Sequence, residues 1–198
     1  MDIMLKYEGD RPMNRQNHYF FAIELPKEIK ESLHQWAAEL ERMYAFKSWV
    51  HPSDYHITLA FLGSASHSML DGAVDLLKSR AEQLVSFPLT IKGLGTFGMV
   101  NQPRILWADV RKQPILYEVQ KNVWNACTSI GFKLDTKPFT PHITIARRCM
   151  EAMEKDSLRQ LEDSLPSIPE FQVQHLVLYQ TNSQSIPKYE PIVKFPLV

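Results

Sequence analysis

Two tetrapeptides, HITL starting at His56 and HITI starting at His142, constrain this chain most. Each lies in a run of aliphatic and aromatic residues, YHITLAFLG at 55–63 and PHITIAR at 141–147, and such runs predict strands. Alternate side chains of a strand point to the same face. His56 and Thr58 therefore share one face, with Ile57 and Leu59 on the other. His142 and Thr144 are likewise opposed to Ile143 and Ile145. Each segment anchors its aliphatic face in a core and offers an imidazole and a hydroxyl on the other side. If the two strands lie side by side, four polar groups meet over one pocket.

The rest of the chain supplies strands and helices in alternation. Strands are predicted at 18–25, 87–91, 104–110, 171–180 and 191–198. Apolar residues at helical spacing predict helices at 28–44, 66–85, 115–130 and 154–165, the third stopped by Gly131. A short extended piece begins at Trp49, a turn follows at 51–54, and Phe97 is a further strand candidate in the glycine-containing connection 93–103. Short connections and mixed elements predict an α+β or α/β domain over residues 18–198. Helix, HIT strand and helix occur once in each half, a rough internal echo. Residues 1–17 read as a flexible arm without periodic apolar positions.

Composition narrows the function. The 198 residues carry 22 basic and 22 acidic side chains, a net charge of zero. That argues against a broad basic face tracking a long nucleic acid, because phosphate neutralisation dominates such binding. It permits a small ligand or a single nucleic-acid end. Cys127 and Cys149 match no zinc spacing and read as free thiols. The first 18 residues mix charges of both signs, no apolar run reaches the length of a membrane span, and the expected location is the cytoplasm.

Phosphodiester chemistry suits the paired motifs. Opening a cyclic phosphate requires a proton taken from water and a proton given to a ribose oxygen. Two imidazoles do both near neutrality, and Thr58 and Thr144 can donate hydrogen bonds to the phosphoryl oxygens. The scheme calls for no metal and no cofactor. By composition alone about 0.3 HxT triplets are expected, so the evidence lies in the shared strand context more than in the triplets. The histidines at 18, 34, 51, 67 and 175 lack that context. His51 reads as a solvated turn residue, and Trp107 and Asp109 as structural.

The segments HYFFAIELP, WVHPSDYHITLAFLG, GLGTFGMVNQPRILWADV, KPFTPHITIARR and HLVLYQTNSQSIPKYEPIVKFPL resemble the 2H phosphoesterases. The similarity is to their RNA 2′,3′-cyclic phosphodiesterase branch, also called bacterial 2′–5′ RNA ligases, from Tyr19 onward. It implies a bilobal α+β fold with two antiparallel sheets around a central cleft and helices outside. It implies that His56 is the proton donor and His142 the proton acceptor, a distinction the residues themselves do not make. It also implies substrate contacts from Phe61 and Arg147, each five positions after a motif histidine. In an unbroken strand an odd offset faces away, so a bend or bulge, or the strand end before Gly63, is needed for either to reach the pocket. The implied substrates are RNA 3′ ends or nucleoside 2′,3′-cyclic phosphates, the implied product a 2′-phosphate, and the expected state a monomer. Ligation in the reverse direction and a non-catalytic nucleotide-binding module are the competing readings. Two titratable groups argue against the module.

Overall fold

The computed structural model describes residues 17–81, 84–154, 157–162 and 164–198. The arm expected at 1–17 lies outside them except for Asn17. Ten strands and four helices alternate along the described chain. The first half contains β1 (Tyr19–Glu24), α1 (Lys27–Glu41), β2 (Phe46–Trp49), β3 (His56–Gly63), α2 (His67–Ala81), β4 (Phe87–Leu89) and β5 (Ile91–Gly98). The second contains β6 (Pro103–Val110), α3 (Pro114–Ser129), β7 (His142–Cys149), α4 (Ser157–Glu162), β8 (Phe171–Val173), β9 (His175–Thr181) and β10 (Tyr189–Pro196). A single 3-10 turn, Pro52–Asp54, leads into β3.

The strands form two four-stranded antiparallel sheets in the orders β10-β9-β1-β3 and β2-β7-β6-β5. The expected α+β architecture with two antiparallel sheets is present, with one motif strand in each sheet. Two predicted strands are each divided. The run 87–91 breaks at Thr90, whose carbonyl accepts the Arg111 N–H (2.9 Å). The run 171–180 breaks at Gln174, whose carbonyl accepts the Leu197 N–H (2.9 Å). The severed ends, β4 and β8, pair with each other as a separate two-stranded ribbon. Periodicity does not register such a break, because both sides of it remain apolar. The fourth helix is shorter than expected at its described residues, and Glu82 and Gln83 of the second lie outside them.

One continuous apolar cluster draws on both sheets. It includes Phe21, Ile23 and Ile57 from the first, Ala108, Ile143 and Ile145 from the second, and the inner faces of α1, α2 and α3. The helices cross over. α1, which follows β1, packs against β7 in the other sheet, and α3, which follows β6, packs against β3. Leu40 of α1 joins Ala146 and Cys149 of β7 in a second buried cluster. Gln120 of α3 donates its side-chain N–H to the Leu59 carbonyl of β3 (3.3 Å). Each motif strand is thus backed by the helix of the other half. Pro114 opens α3 at the first helical position, where its missing N–H costs nothing, and Gly131 ends it at φ 102°.

Gly95 in β5 lies under the Trp107 ring of β6, its directly opposed neighbour. A β-carbon there would overlap the indole. Gly95→Ala is expected to cost about 1–3 kcal/mol by overpacking. Denaturant unfolding of Gly95→Ala, with and without Trp107→Ala, checks this: the tryptophan truncation should recover most of the glycine variant's added loss.

Candidate active site

The two motif strands share an irregularity that decides which side chains meet. In β3, Ala22 pairs with Thr58 and Phe21 with Ala60, so Leu59 is an extra residue without a partner in β1. In β7, Trp107 pairs with Thr144 and Leu106 with Ala146, so Ile145 is extra. Such a bulge shifts the alternation by one position. Leu59 and Ala60 are buried in succession, as are Ile145 and Ala146. Beyond each bulge the next side chain returns to the histidine's face. Phe61 is paired with Phe20, whose ring lies 4.8 Å from that of His56. Arg147 is paired with Ile105, which is paired in turn with Phe97, whose ring meets His142 edge-on at 4.9 Å. Phe61 is not a core residue, being 55% exposed.

Both imidazoles are held in the same way. His56 donates its Nδ1–H to the Asp54 carbonyl (2.7 Å), and His142 donates its Nδ1–H to the Thr140 carbonyl (2.7 Å). Each acceptor lies two residues upstream. A carbonyl can only accept, so the proton belongs on Nδ1, and the neutral ring keeps its lone pair on Nε2. The Thr58 hydroxyl is 3.0 Å from the His56 Nε2 and donates to it in that state.

The surroundings of the two rings differ. His56 is enclosed by Phe20, Tyr179 and Tyr189, with ring centroids at 4.8, 6.0 and 5.1 Å. Burial pushes its pKa down to about 4; the Asp54 carbonyl bond opposes this, and the charges of Arg147, Lys30 and His142 add to the lowering. His142 rests against Phe97 and Trp107, the latter at 5.9 Å. Its pKa is also lowered, first by burial and then by Arg147, with the Thr140 carbonyl bond opposing. Arg147 therefore acts electrostatically on both histidines, and β3 lies beside β7.

An acid stands opposite each histidine in the strand pairing, Glu24 opposite His56 and Asp109 opposite His142. Glu24 is held by Lys194 at 2.8 Å, and burial raises the Asp109 pKa. A separate groove of about 570 Å³, lined in part by Glu24, Lys30 and His175, lies beside this site and contains neither motif histidine. Among the described residues, no group of three or more His, Cys, Asp or Glu side chains could hold a metal ion. No described helix is long and apolar enough to cross a membrane.

Residues 25–184 match the family model described as the 2′-5′ RNA ligase superfamily. The chain belongs to this superfamily. A superfamily relative from Geobacillus stearothermophilus, named RNA 2′,3′-cyclic phosphodiesterase, is 41% identical over 93% of this chain. The chain spans only 58% of that protein's length. A Bacillus subtilis (strain 168) protein of the same name is 30% identical over 91% of this chain and 96% of its own. Among solved superfamily structures, E. coli LigT complexed with 3′-AMP superimposes with a TM-score of 0.74 at 26% identity, covering 93% of this chain and 99% of that one.

Of the six residues singled out from the sequence, Thr58 touches His56, and His142 and Arg147 act on it electrostatically, while the Phe61 ring meets His18 and Thr144 is half-buried on β7. Sequence reasoning missed the aromatic walls formed by Phe20, Tyr179, Tyr189 and Phe97, and took Trp107 as structural although its ring borders His142. Alternation from a motif histidine across a paired strand would have found Phe20 and Trp107, once the pairing was known. His51, taken as solvated, is exposed and caps the 3-10 turn by accepting the Ser53 N–H (3.2 Å) on Nδ1.

The lowered His56 pKa has a sign that can be checked. An imidazole below its ordinary 6.5 in the fold binds protons more readily once unfolded. Its contribution to stability is therefore whole above pH 6.5 and is lost as the pH falls toward 4. Urea unfolding at a series of pH values should show a smaller loss over that window in His56→Gln than in the parent chain. Equal losses would place the His56 titration elsewhere.

Proposed function

We propose that this chain opens 2′,3′-cyclic phosphates at RNA 3′ ends, leaving a 2′-phosphate and a free 3′ hydroxyl. The observation that carries the reading is the common tether of the two imidazoles. Each Nδ1–H is committed to a backbone carbonyl, which leaves proton transfer to each Nε2; at His56 the Thr58 hydroxyl occupies Nε2 in the neutral ring and is released to the phosphoryl oxygens when that nitrogen is protonated. The His142 Nε2 removes a proton from water as the water oxygen bonds to phosphorus. The bond from phosphorus to the 3′ oxygen breaks, and the protonated His56 Nε2 delivers its proton to that oxygen. Exchange with solvent restores both rings.

A depressed His56 pKa suits this role once substrate is present. At neutral pH the unliganded ring is neutral, and an anionic cyclic phosphate beside it favours the imidazolium. A weakly basic imidazole, once protonated, is a strong proton donor. Arg147 offsets the phosphoryl charge, Thr58 and Thr144 donate to the phosphoryl oxygens, and Phe61 offers an exposed ring on which the terminal base stacks. Both histidines come from one chain, which is consistent with a monomer, and the proposed setting is the cytoplasm. The superfamily's description also names ligation. With a 5′ hydroxyl in place of water, His142 taking its proton and His56 protonating the departing 3′ oxygen, the same displacement would form a 2′–5′ bond, so both nucleophiles belong in the assay.

Hydrolysis of adenosine 2′,3′-cyclic phosphate, followed by phosphorus NMR, tests the reading. The expected product is the 2′-phosphate, formed without loss of rate in excess EDTA. His56→Ala and His142→Ala should each lower kcat by roughly 10²–10⁴ while remaining folded. A 3′-phosphate product would reverse the seating of the ribose, and near-parental activity in either folded variant would remove that histidine from the mechanism.

The hydroxyls and the two residues beyond the bulges should separate in kinetics. Thr58→Val and Thr144→Val should lower kcat more than they raise KM. Phe61→Ala and Arg147→Ala should chiefly weaken RNA-end binding, read as KM. Unfolding of Phe61→Ala would contradict its role as an exposed stacking surface.

A further inference from the structure

Asp54 is the one buried charged residue among those described, at 4% exposure. A carboxylate so placed must have its hydrogen bonds met inside the protein. Its Oδ1 accepts the Lys188 N–H (3.0 Å) and the Tyr189 N–H (3.0 Å), and its Oδ2 also accepts the Lys188 N–H (2.9 Å). Its main chain faces the other way. The Asp54 carbonyl accepts the Nδ1–H of His56, while its N–H closes the 3-10 turn onto the His51 carbonyl (2.8 Å). Lys30 of α1 fixes the same turn by donating to the Ser53 carbonyl (3.0 Å).

The segment gripped by the carboxylate is the connection between β9 and β10. Among the described residues, the other hydrogen bonds of 182–188 close within that loop. Tyr189 follows immediately, with its ring edge-on to His56 at 5.1 Å and to Phe20 at 4.9 Å. The Asp54 carboxylate therefore secures one wall of the His56 pocket, and the Asp54 carbonyl sets the ring's tautomer and angle. His142 has only the carbonyl half of this arrangement, from Thr140.

We propose that Asp54 is a positioning residue for His56, tying the loop that carries Tyr189 to the turn that orients the imidazole. The inference rests on the reading of His56 as the proton donor, and it adds a requirement: the donor works only while the closing loop is pinned. Loss of the carboxylate releases the Tyr189 wall, admits water to the ring and leaves it free to tilt. A misplacement on the order of 1 Å can cost about 10²-fold in rate.

The test follows the His56 ring by NMR pH titration alongside kinetics on adenosine 2′,3′-cyclic phosphate. The charged groups facing the ring, Arg147, Lys30, His142 and the paired Glu24 and Lys194, stay unchanged in every variant. In the parent chain the ring should titrate near 4. In Asp54→Ala and in Tyr189→Leu the midpoint should rise by about one unit or more, because burial is the main cause of the lowering. Asp54→Ala should lower kcat by about 10–100-fold, with KM changed less than about threefold. Asp54→Asn keeps the oxygen that serves both N–H groups and should fall between. The double variant Asp54→Ala/Tyr189→Leu should be no worse than Asp54→Ala alone. Val74→Ala, a buried truncation in α2, should cost stability without moving the His56 midpoint.

An unmoved midpoint in folded Asp54→Ala or Asp54→Asn overturns the proposal, as do additive kcat losses in the double variant. If Asp54→Ala does not fold, Asp54→Asn and Tyr189→Leu decide alone, and an unmoved midpoint in Tyr189→Leu is enough to reject it. A parent chain without turnover would refute the proposed function, while the titrations would still judge the positioning role.

Discussion

The bulge that follows each HIT segment, at Leu59 in β3 and at Ile145 in β7, governs the arrangement of the side chains around it. A regular strand cannot bury Ile57, Leu59 and Leu62 on one face and also direct His56, Thr58 and Phe61 to the other, because the offsets are of mixed parity. The bulge resolves the conflict by letting two successive side chains enter the core. In β7 the same device buries Ile145 and Ala146 and brings Arg147 round to the face of His142. Core packing and site assembly thus use the same backbone feature, and neither is obtained at the other's expense.

The two halves are alike in backbone and unlike in surroundings. Each imidazole is tethered through Nδ1 to a carbonyl two residues before it, so the local geometry is duplicated. The walls are not. His56 is shut between Phe20, Tyr179 and Tyr189, and a cation in that enclosure is poorly solvated. His142 meets Phe97 and Trp107. Near-identical motifs thus sit in different surroundings because of the aromatic residues that other strands bring to them, a difference that neither tetrapeptide encodes.

Much of this was legible before any coordinates. The HIT strands, the helix periodicities and the alternation that puts His and Thr on one face are local properties, and they survive folding nearly intact. The parity of Phe61 and Arg147 required a bend, a bulge or a strand end, and a bulge is present in each strand. What could not be read was non-local. The breaks at Thr90 and Gln174 lie inside apolar runs and arise because β4 and β8 leave the main sheets to pair with each other. The aromatic walls come from β1, β5, β6, β9 and the start of β10, whose register against the motif strands periodicity does not specify. Asp54 looked like an ordinary turn residue, because its partners at Lys188 and Tyr189 lie far along the chain.

The exchange of helices between halves bears on how such a molecule could arise. α1 backs the motif strand of the second half, and α3 backs that of the first. A solitary half would therefore carry an apolar strand face without its cover and a helix without its seat. Two separate copies would have to trade strands as well as helices, because β9 and β10 complete the sheet of β1 and β3 while β2 and β5 flank β7 and β6. Joining them in one polypeptide makes that trade intramolecular and independent of concentration. It also frees the copies to diverge, so that one imidazole can be enclosed by aromatics while its counterpart keeps a different setting.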